Sequence, residues 1–150
     1  MDFSAALPQI MKKSGVDYFL TTKLSWNDTN QFPYETFMWR GIDGSTVPVH
    51  FNSIHTWIDE ESVGARREAI RNKRESDNVL MAYGFGDGGG GPTKQMLETQ
   101  RRLAKGLPGM PVTRMERLLD HLDRLRAEFD EGCIRTRRTP RWVGELYLEF

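Results

Sequence analysis

The apolar positions of this chain change from helical to extended spacing within the first 22 residues. Residues 5–11 carry apolar side chains at the spacing of a short amphipathic helix, which Ser14 and Gly15 end. Residues 16–22 follow with the composition of a β-strand. The chain therefore opens with a predicted αβ unit.

A β-hairpin is predicted next. Residues 36–40 and 46–51 are two strand-like runs on either side of Gly41-Ile42-Asp43-Gly44. Because Asp-Gly favours a tight turn, we place Asp43 in the turn of this hairpin.

The remaining two thirds of the chain alternate between predicted helices and strands. Helices are expected at residues 59–75, which are highly charged, at 93–105, which Gly106 ends, and from about 115 onward; strands are expected at 79–83 and 145–150. No repeat or linker divides the chain. The pattern predicts an α/β fold with a mostly parallel layer and an inserted hairpin. A complete (β/α) barrel needs roughly 200 residues or more, so we interpret the chain as part of such a barrel.

Composition narrows the class of protein. Lys plus Arg and Asp plus Glu both number 21 among 150 residues, so no net charge favours nucleic acid or a membrane surface as partner. The single cysteine, Cys133, has no partner for a disulfide, which favours a reducing compartment. Residues 1–20 contain no signal-peptide core, and no apolar run is long enough to span a membrane. We expect a cytoplasmic protein.

The glycine-rich stretch from Gly84 to Gly91 contains a single ionisable side chain, Asp87. It lies between the predicted strand at 79–83 and the predicted helix at 93–105, where α/β folds place their sites. A flexible linker is the alternative, although linkers are usually longer and richer in serine. A phosphate-binding P-loop is excluded, because Pro92-Thr93-Lys94 stands where Gly-Lys-Ser/Thr is required.

Several ordered motifs make the chain similar to a known family. They are Ser4-Ala5-Ala6-Leu7-Pro8-Gln9-Ile10, residues 12–19, Leu24-Ser25-Trp26-Asn27-Asp28, residues 36–44, the glycine stretch, Leu107-Pro108-Gly109-Met110-Pro111 and Gly144-Glu145-Leu146-Tyr147-Leu148-Glu149. In this order they resemble the zinc-dependent α-mannosidases of glycoside hydrolase family 38, over nearly the whole chain. The resemblance implies that residues 1–150 are part of the family's N-terminal catalytic domain.

The resemblance also implies a retaining mechanism with two carboxylates and a zinc ion. It places the nucleophilic aspartate two positions before Met1, with Asp2 where the family has glycine. The zinc ligands, an upstream His-x-Asp, the nucleophile and a downstream His-Asp, are likewise expected outside this sequence. We therefore interpret His50, His55 and His121 as structural or solvated residues.

Three residues of this chain take site roles from the resemblance. Asp87 is the candidate general acid/base; the alternative is an aspartate that only caps the loop or the helix after it. Lys23 aligns with a basic active-site position, and Trp57 with an aromatic residue that contacts sugar. The chain departs from the family at Tyr34-Glu35, where two histidines are common, and at Asn52-Ser53, where Pro-Pro is common.

We expect an α-mannosidase in the intact enzyme, acting on mannosides or oligosaccharides, and no turnover by this chain alone. The alternatives are a degenerate carbohydrate-binding or structural remnant, and one subunit of a split enzyme. Because its sheet would be incomplete, we also expect weak stability and self-association, or association with the missing part of the domain.

Overall fold

The computed structural model describes residues 2–25, 30–52, 57–71, 76, 78–86, 89–130 and 138–147. They form a small mixed α/β unit. Its strands are β1 (Asp2–Phe3), β2 (Phe19–Thr21), β3 (Thr36–Arg40), β4 (Thr46–Phe51), β5 (Arg141–Val143) and β6 (Leu146–Tyr147). Its helices are α1 (Leu7–Lys13), α2 (Glu60–Ala69), α3 (Lys94–Leu103) and α4 (Leu118–Asp130). No helix in these ranges is both long and apolar enough to cross a bilayer.

The main sheet has four strands in the order β2-β4-β3-β5. Strands β3 and β4 form the predicted antiparallel hairpin, with Arg40 paired to Thr46 next to the turn. Strand β2 is parallel to β4, and β5 is parallel to β3. A mixed α/β architecture is thus confirmed, but the described strands form an open sheet and not a closed barrel. A separate two-stranded sheet pairs β1 with β6 in antiparallel fashion.

The predicted strand at residues 79–83 is wrong. These residues follow an irregular path, and next to them only an isolated bridge joins Phe85 to Gly90. The apolar side chains of this run nevertheless contribute to the core, because Met81 and Tyr83 pack against buried residues of α2 and α3. Two of its backbone groups bond to side chains from elsewhere in the fold: the Leu80 carbonyl accepts from Arg66, and the Ala82 N–H donates to Asn52. These groups therefore have partners without a neighbouring strand.

Helices α2 and α3 begin directly after residues that are typical N-caps. Asp59 caps α2, with its carboxylate accepting from the Ser62 N–H at 2.7 Å and its own N–H donating to the Ser62 hydroxyl at 3.0 Å. Thr93 caps α3 by accepting from the Met96 N–H at 3.2 Å. Helix α4 begins at Leu118, later than predicted, and Met115 before it is exposed.

Two groups of buried apolar side chains hold the unit together. The sheet cluster consists of Met11, Leu24, Phe32, Phe37, Trp39, Val47, Val49, Phe51 and Leu146. The loop-side cluster consists of Ile58, Val63, Met96 and Leu103, with Met81, Tyr83 and Met110 packed against it. The first cluster lies mainly on the strands, with Met11 of α1, Leu24 and Phe32 packed on them. The second joins α2, α3 and the segment that leads into the glycine stretch.

Candidate functional site

The parallel strands β2 and β4 end side by side, because Thr21 pairs with Phe51. Strand β3 runs the opposite way and begins at the same edge, where Thr36 pairs with His50. We call this the carboxyl edge and define it by residues 21–23, 35–36 and 51–52. It is the edge at which α/β proteins bind ligands.

Arg66 of α2 reaches across the carboxyl edge. Its Nη1 donates to both carboxylate oxygens of Glu35, at 3.0 and 3.2 Å, and its Nη2 donates to the Phe51 carbonyl at 3.5 Å. Its Nε donates to the Leu80 carbonyl at 3.3 Å. The side chains of Arg66 and Glu35 are only 10% and 11% exposed. One guanidinium thus connects the start of β3, the end of β4 and the segment around Leu80.

Asn52 makes a second connection to the same segment. Its backbone N–H donates to the Thr21 carbonyl at 3.0 Å, which continues the pairing of β2 and β4 by one residue. Its side-chain oxygen accepts from the Ala82 N–H at 3.4 Å. Residues 80–82 are therefore attached to the carboxyl edge through both Arg66 and Asn52.

The glycine stretch closes on itself just after this segment. The Phe85 N–H donates to the Gly90 carbonyl at 3.1 Å, and the Gly89 N–H donates to the Gly86 carbonyl at 2.9 Å. Gly84 has a φ of +132°, and a Cβ there would lie 3.2 Å from the Pro92 nitrogen. A side chain at Gly84 would therefore be strained in conformation and crowded by the backbone of Pro92. Asp87 itself lies outside the described residues, so its role stays a prediction.

Lys23 and Trp57 are both accessible. Lys23 is exposed in a single 3₁₀ turn directly after β2, and its backbone N–H donates to the Thr21 hydroxyl at 3.1 Å. Trp57 is 40% exposed and directly precedes the buried Ile58 and the cap of α2. Lys23 thus lies on the carboxyl edge, and Trp57 lies at the start of the helix that carries Arg66. Their assigned roles remain predictions.

A cleft of about 770 Å³ opens beside the carboxyl edge. Asn52 and Arg66 line it on one side, and Ala82, Tyr83 and Pro92, next to the glycine stretch, line it on another. Neither Lys23 nor Trp57 is among the described residues that line it. Its volume lies within the range of small-molecule sites.

The histidines His50 and His121 form a buried pair between β4 and α4. Their ring centroids are 5.7 Å apart, and each residue is 2% exposed. The Nδ1 of His50 is 2.8 Å from the Thr36 hydroxyl, and the Nδ1 of His121 is 3.3 Å from Glu116. Burial is the main reason that the pKa of His50 falls to about 3, and burial also lowers the pKa of His121. Because both pKa values are lowered from the usual 6.5, both rings are neutral at pH 7; His55 lies outside the described residues.

This pair does not fit a zinc ion. Neither Nε2 atom has a hydrogen-bond partner in the described part of the chain, so each could in principle bind a metal. However, burial lowers both pKa values and Arg66 lowers that of His50 further, so added positive charge is disfavoured at this pair, although the Glu116 carboxylate opposes the effect at His121. Across the described ranges, no group of three or more His, Cys, Asp or Glu side chains could hold a metal.

Residues His121-Leu122-Asp123 match the pattern of a His-x-Asp motif. The fold separates its two polar residues, because His121 is buried against His50 whereas Asp123 is exposed and accepts from the Tyr18 hydroxyl. The two residues therefore serve the packing and surface contacts of α4 and do not form a pair of metal ligands.

The two departures from the family pattern have structural partners here. Glu35 pairs with Arg66, and Asn52 bonds to Ala82. The sequence analysis flagged both positions but missed Arg66. The signal for it was weak, because an arginine in a charged helix is usually solvated and its partner is 31 residues away.

Comparison with known proteins gives one family. The profile described as "Glycosyl hydrolases family 38 N-terminal domain" matches residues 2–145. Similar proteins include Alpha-mannosidase 2C1 of Mus musculus, which is 42% identical over 98% of this chain, and Alpha-mannosidase of Saccharomyces cerevisiae, which is 39% identical over 99% of it. Alpha-mannosidase G of Dictyostelium discoideum is 36% identical over 98% of the chain. The chain spans only 13–14% of the length of these relatives.

Proposed function

Because this chain belongs to glycosyl hydrolase family 38, we propose that it contributes part of the active site of an α-mannosidase. The reaction is the retaining hydrolysis of terminal α-mannosides. The observation that carries the proposal is the family match over residues 2–145. It is supported by the attachment of the segment before the glycine stretch to the carboxyl edge of the sheet.

Asp87 is the proposed general acid/base. A retaining glycosidase needs one carboxylate to attack the anomeric carbon and another, about 5–5.5 Å away, to protonate the leaving oxygen. Asp87 is the only carboxylate within the glycine stretch, where little side-chain bulk would obstruct a sugar. In the second step the same residue takes a proton from the incoming water. The nucleophile is expected outside this sequence.

Lys23 and Trp57 are the proposed sugar contacts. An exposed ammonium group can donate to sugar hydroxyls, and an indole ring can stack on the apolar face of a pyranose. Their accessibility is compatible with these roles. Neither residue lines the cleft beside the carboxyl edge, so the proposal requires the sugar to extend beyond that cleft.

The described residues do not fit the zinc ion that the family resemblance implies. The zinc ligands are therefore expected outside this sequence. We also propose that the open sheet is one part of a (β/α) barrel, and that the 150 residues alone do not turn over substrate. A non-catalytic carbohydrate-binding remnant and a subunit of a split enzyme are the rival functions.

The test uses the polypeptide that contains this chain with its natural flanking sequence. Asp87→Asn should slow a mannoside with a poor leaving group by about 10²–10⁴-fold, because a positioned proton donor is worth that much. A dinitrophenyl mannoside needs less protonation and should lose less rate. Asp43→Asn is the matched control, because Asp43 also lies in a glycine-containing turn but only bonds to Ser45.

The outcomes separate the rival functions. An equal, small loss on both substrates would assign Asp87 to loop structure and place the acid/base elsewhere. A wild-type polypeptide that binds mannose but hydrolyses neither substrate would favour the carbohydrate-binding remnant. Hydrolysis that appears only after a second gene product is added would favour the split enzyme.

A further inference from the structure

Arg66 is far more constrained than an arginine of a surface helix usually is. Its guanidinium contacts one carboxylate and two backbone carbonyls, and its side chain is only 10% exposed. A buried charge is costly unless it is paired and hydrogen-bonded, and here both conditions are met. The remaining question is what this arrangement positions.

The contacts of Arg66 join two elements that no strand pairing joins. Phe51 ends β4, whereas Leu80 belongs to the irregular segment 78–83. Among the described residues, a second polar link joins that segment to the residue after β4, because the Ala82 N–H donates to the Asn52 side-chain oxygen. Its length of 3.4 Å is similar to the 3.3 and 3.5 Å of the bonds from Arg66 to the Leu80 and Phe51 carbonyls, but the guanidinium is a charged donor, so Arg66 is the stronger of the two links.

The segment that Arg66 holds leads directly into the closed glycine stretch. Leu80 precedes Gly84 by four residues, and the bond from the Phe85 N–H to the Gly90 carbonyl joins the start of the stretch to its end. Displacement of Leu80 would therefore be passed along a short piece of chain to the flanks of Asp87.

We propose that Arg66, held by Glu35, is a positioning residue for the acid/base loop. It fixes residues 80–82 against the carboxyl edge and so positions the start of the loop that carries Asp87. This inference rests on the proposed function, in which Asp87 is the proton donor. Because a misplacement of about 1 Å can cost about 10²-fold in rate, a clamp of this kind matters for proton transfer.

Arg66→Lys is the main variant. Lysine keeps the charge for Glu35 but has a single ammonium group, which cannot also reach the Phe51 and Leu80 carbonyls with the geometry of a guanidinium. Glu35→Gln is the second variant, because it keeps an acceptor for Arg66 and removes only the charge. Arg102→Lys is the control, since Arg102 is 75% exposed and pairs only with Glu98 on its own helix.

Two measurements are made on the polypeptide with its natural flanks. The first is amide hydrogen exchange. Arg66→Lys should accelerate exchange at Ala82, Phe85 and Gly89 by about tenfold or more, and leave the amides of α3 unchanged. The second is hydrolysis: the rate with a poor leaving group should fall at least about tenfold further than the rate with a dinitrophenyl leaving group. Glu35→Gln should change both readouts in the same direction by less, and Arg102→Lys should change neither.

The results distinguish the two proposals. Unchanged exchange at residues 82–89 in Arg66→Lys, or equal losses on both substrates, would overturn the positioning role. A uniform rise in exchange over the whole chain would show that Arg66 only stabilises the fold, and would overturn it too. A wild-type polypeptide without activity on either substrate would instead overturn the proposed function, whatever the exchange rates of the variants show.

Discussion

The sheet cluster and the loop-side cluster are built in different ways. The sheet cluster contains large aromatic side chains on paired strands, and Phe37 and Trp39 in it are 0% exposed. Its rings contact one another closely; Phe37 and Phe51, for example, meet edge to face at 5.4 Å between centroids. The loop-side cluster is smaller, with four buried residues, and two of the three side chains that pack against it, like Met96 within it, are methionines. It packs on a segment without strand pairing.

From this difference we expect the sheet cluster to be a rigid scaffold and the loop-side region to be easier to displace. In the sheet cluster, backbone pairing and ring packing both fix the same residues. In the loop-side cluster, flexible methionines supply the apolar contact, and Arg66 and Asn52 supply the polar links. The glycine stretch follows the second region, so the proposed acid/base depends on the less rigid half of the molecule. The predictions below test that contrast.

The largest effect is expected for Trp39→Ala in the sheet cluster. Trp39 is fully buried, and its indole N–H donates to the Gly144 carbonyl at 2.6 Å. Removing a buried tryptophan leaves a cavity and an unpaired carbonyl, so the free energy of unfolding should fall by about 3–5 kcal/mol. Urea denaturation measures it. Trp57→Ala is the control and should cost under about 1 kcal/mol; similar losses for both would contradict the scaffold role of this cluster.

Met96→Ala should cost less, about 2–3 kcal/mol, at the lower end of the range for such substitutions. Met96 is 1% exposed, but its neighbours Met81 and Met110 are flexible enough to fill part of the cavity. Hydrogen exchange should rise most at residues 80–86. Met115→Ala is the control, because Met115 is 58% exposed. A loss equal to that of Trp39→Ala would mean that the two clusters are equally rigid.

The same contrast explains how much the sequence could predict. The hairpin depends on a local turn signal at Asp43-Gly44, and the starts of α2 and α3 depend on Asp59 and Thr93, all of which are read within a few residues. The hydrogen bonds to Leu80 and Ala82 come from residues 14 and 30 positions away, which no local pattern contains.

The candidate site likewise contains residues that the sequence could identify and residues that it could not. The family resemblance nominated Asp87, Lys23 and Trp57 from matching motifs. The contact between Glu35 and Arg66 depends on how α2 packs across the sheet, and neither residue type predicts it from the local sequence. Such a pair becomes visible only when the elements are placed in three dimensions.

Acid should destabilise the folded chain by favouring protonation of His50, which is buried on the sheet side of the molecule. Its pKa is about 3 in the folded chain and 6.5 in the unfolded chain, so the unfolded state binds more protons between these values. The groups facing the pair are Thr36, Arg66, Glu116 and Arg124. The neutral His50 ring makes its full contribution to the free energy of unfolding above pH 6.5. This contribution falls by about 1.4 kcal/mol per pH unit as the pH drops toward 3.

His50→Gln isolates this contribution, because glutamine can still bond to the Thr36 hydroxyl but does not titrate. Carboxylates such as Glu116, whose pKa Arg124 lowers, lose stability in acid in both proteins and cancel in the difference. Unfolding by urea at pH 7, 6, 5 and 4 should show a shallower pH dependence in the variant. Parallel curves would mean that the folded state accepts the proton at His50 without cost.

The smallest effect expected is a difference between two glycine substitutions. Gly15 and Gly84 both have positive φ, at +73° and +132°, so alanine is strained at either position. At Gly15 an added Cβ meets nothing within 4 Å, whereas at Gly84 it lies 3.2 Å from the Pro92 nitrogen and 3.3 Å from the Gly91 carbonyl carbon. Backbone atoms cannot rotate away as a side chain can, so Gly84→Ala should cost about 1 kcal/mol more than Gly15→Ala. Paired urea denaturation curves measure this difference, and hydrogen exchange at Phe85 and Gly89 locates it. If the cost is the same at both positions and exchange at the loop does not change, the close approach of Gly84 to Pro92 contributes nothing to closing the glycine stretch. The loop would then depend on Arg66 and Asn52 alone for its position.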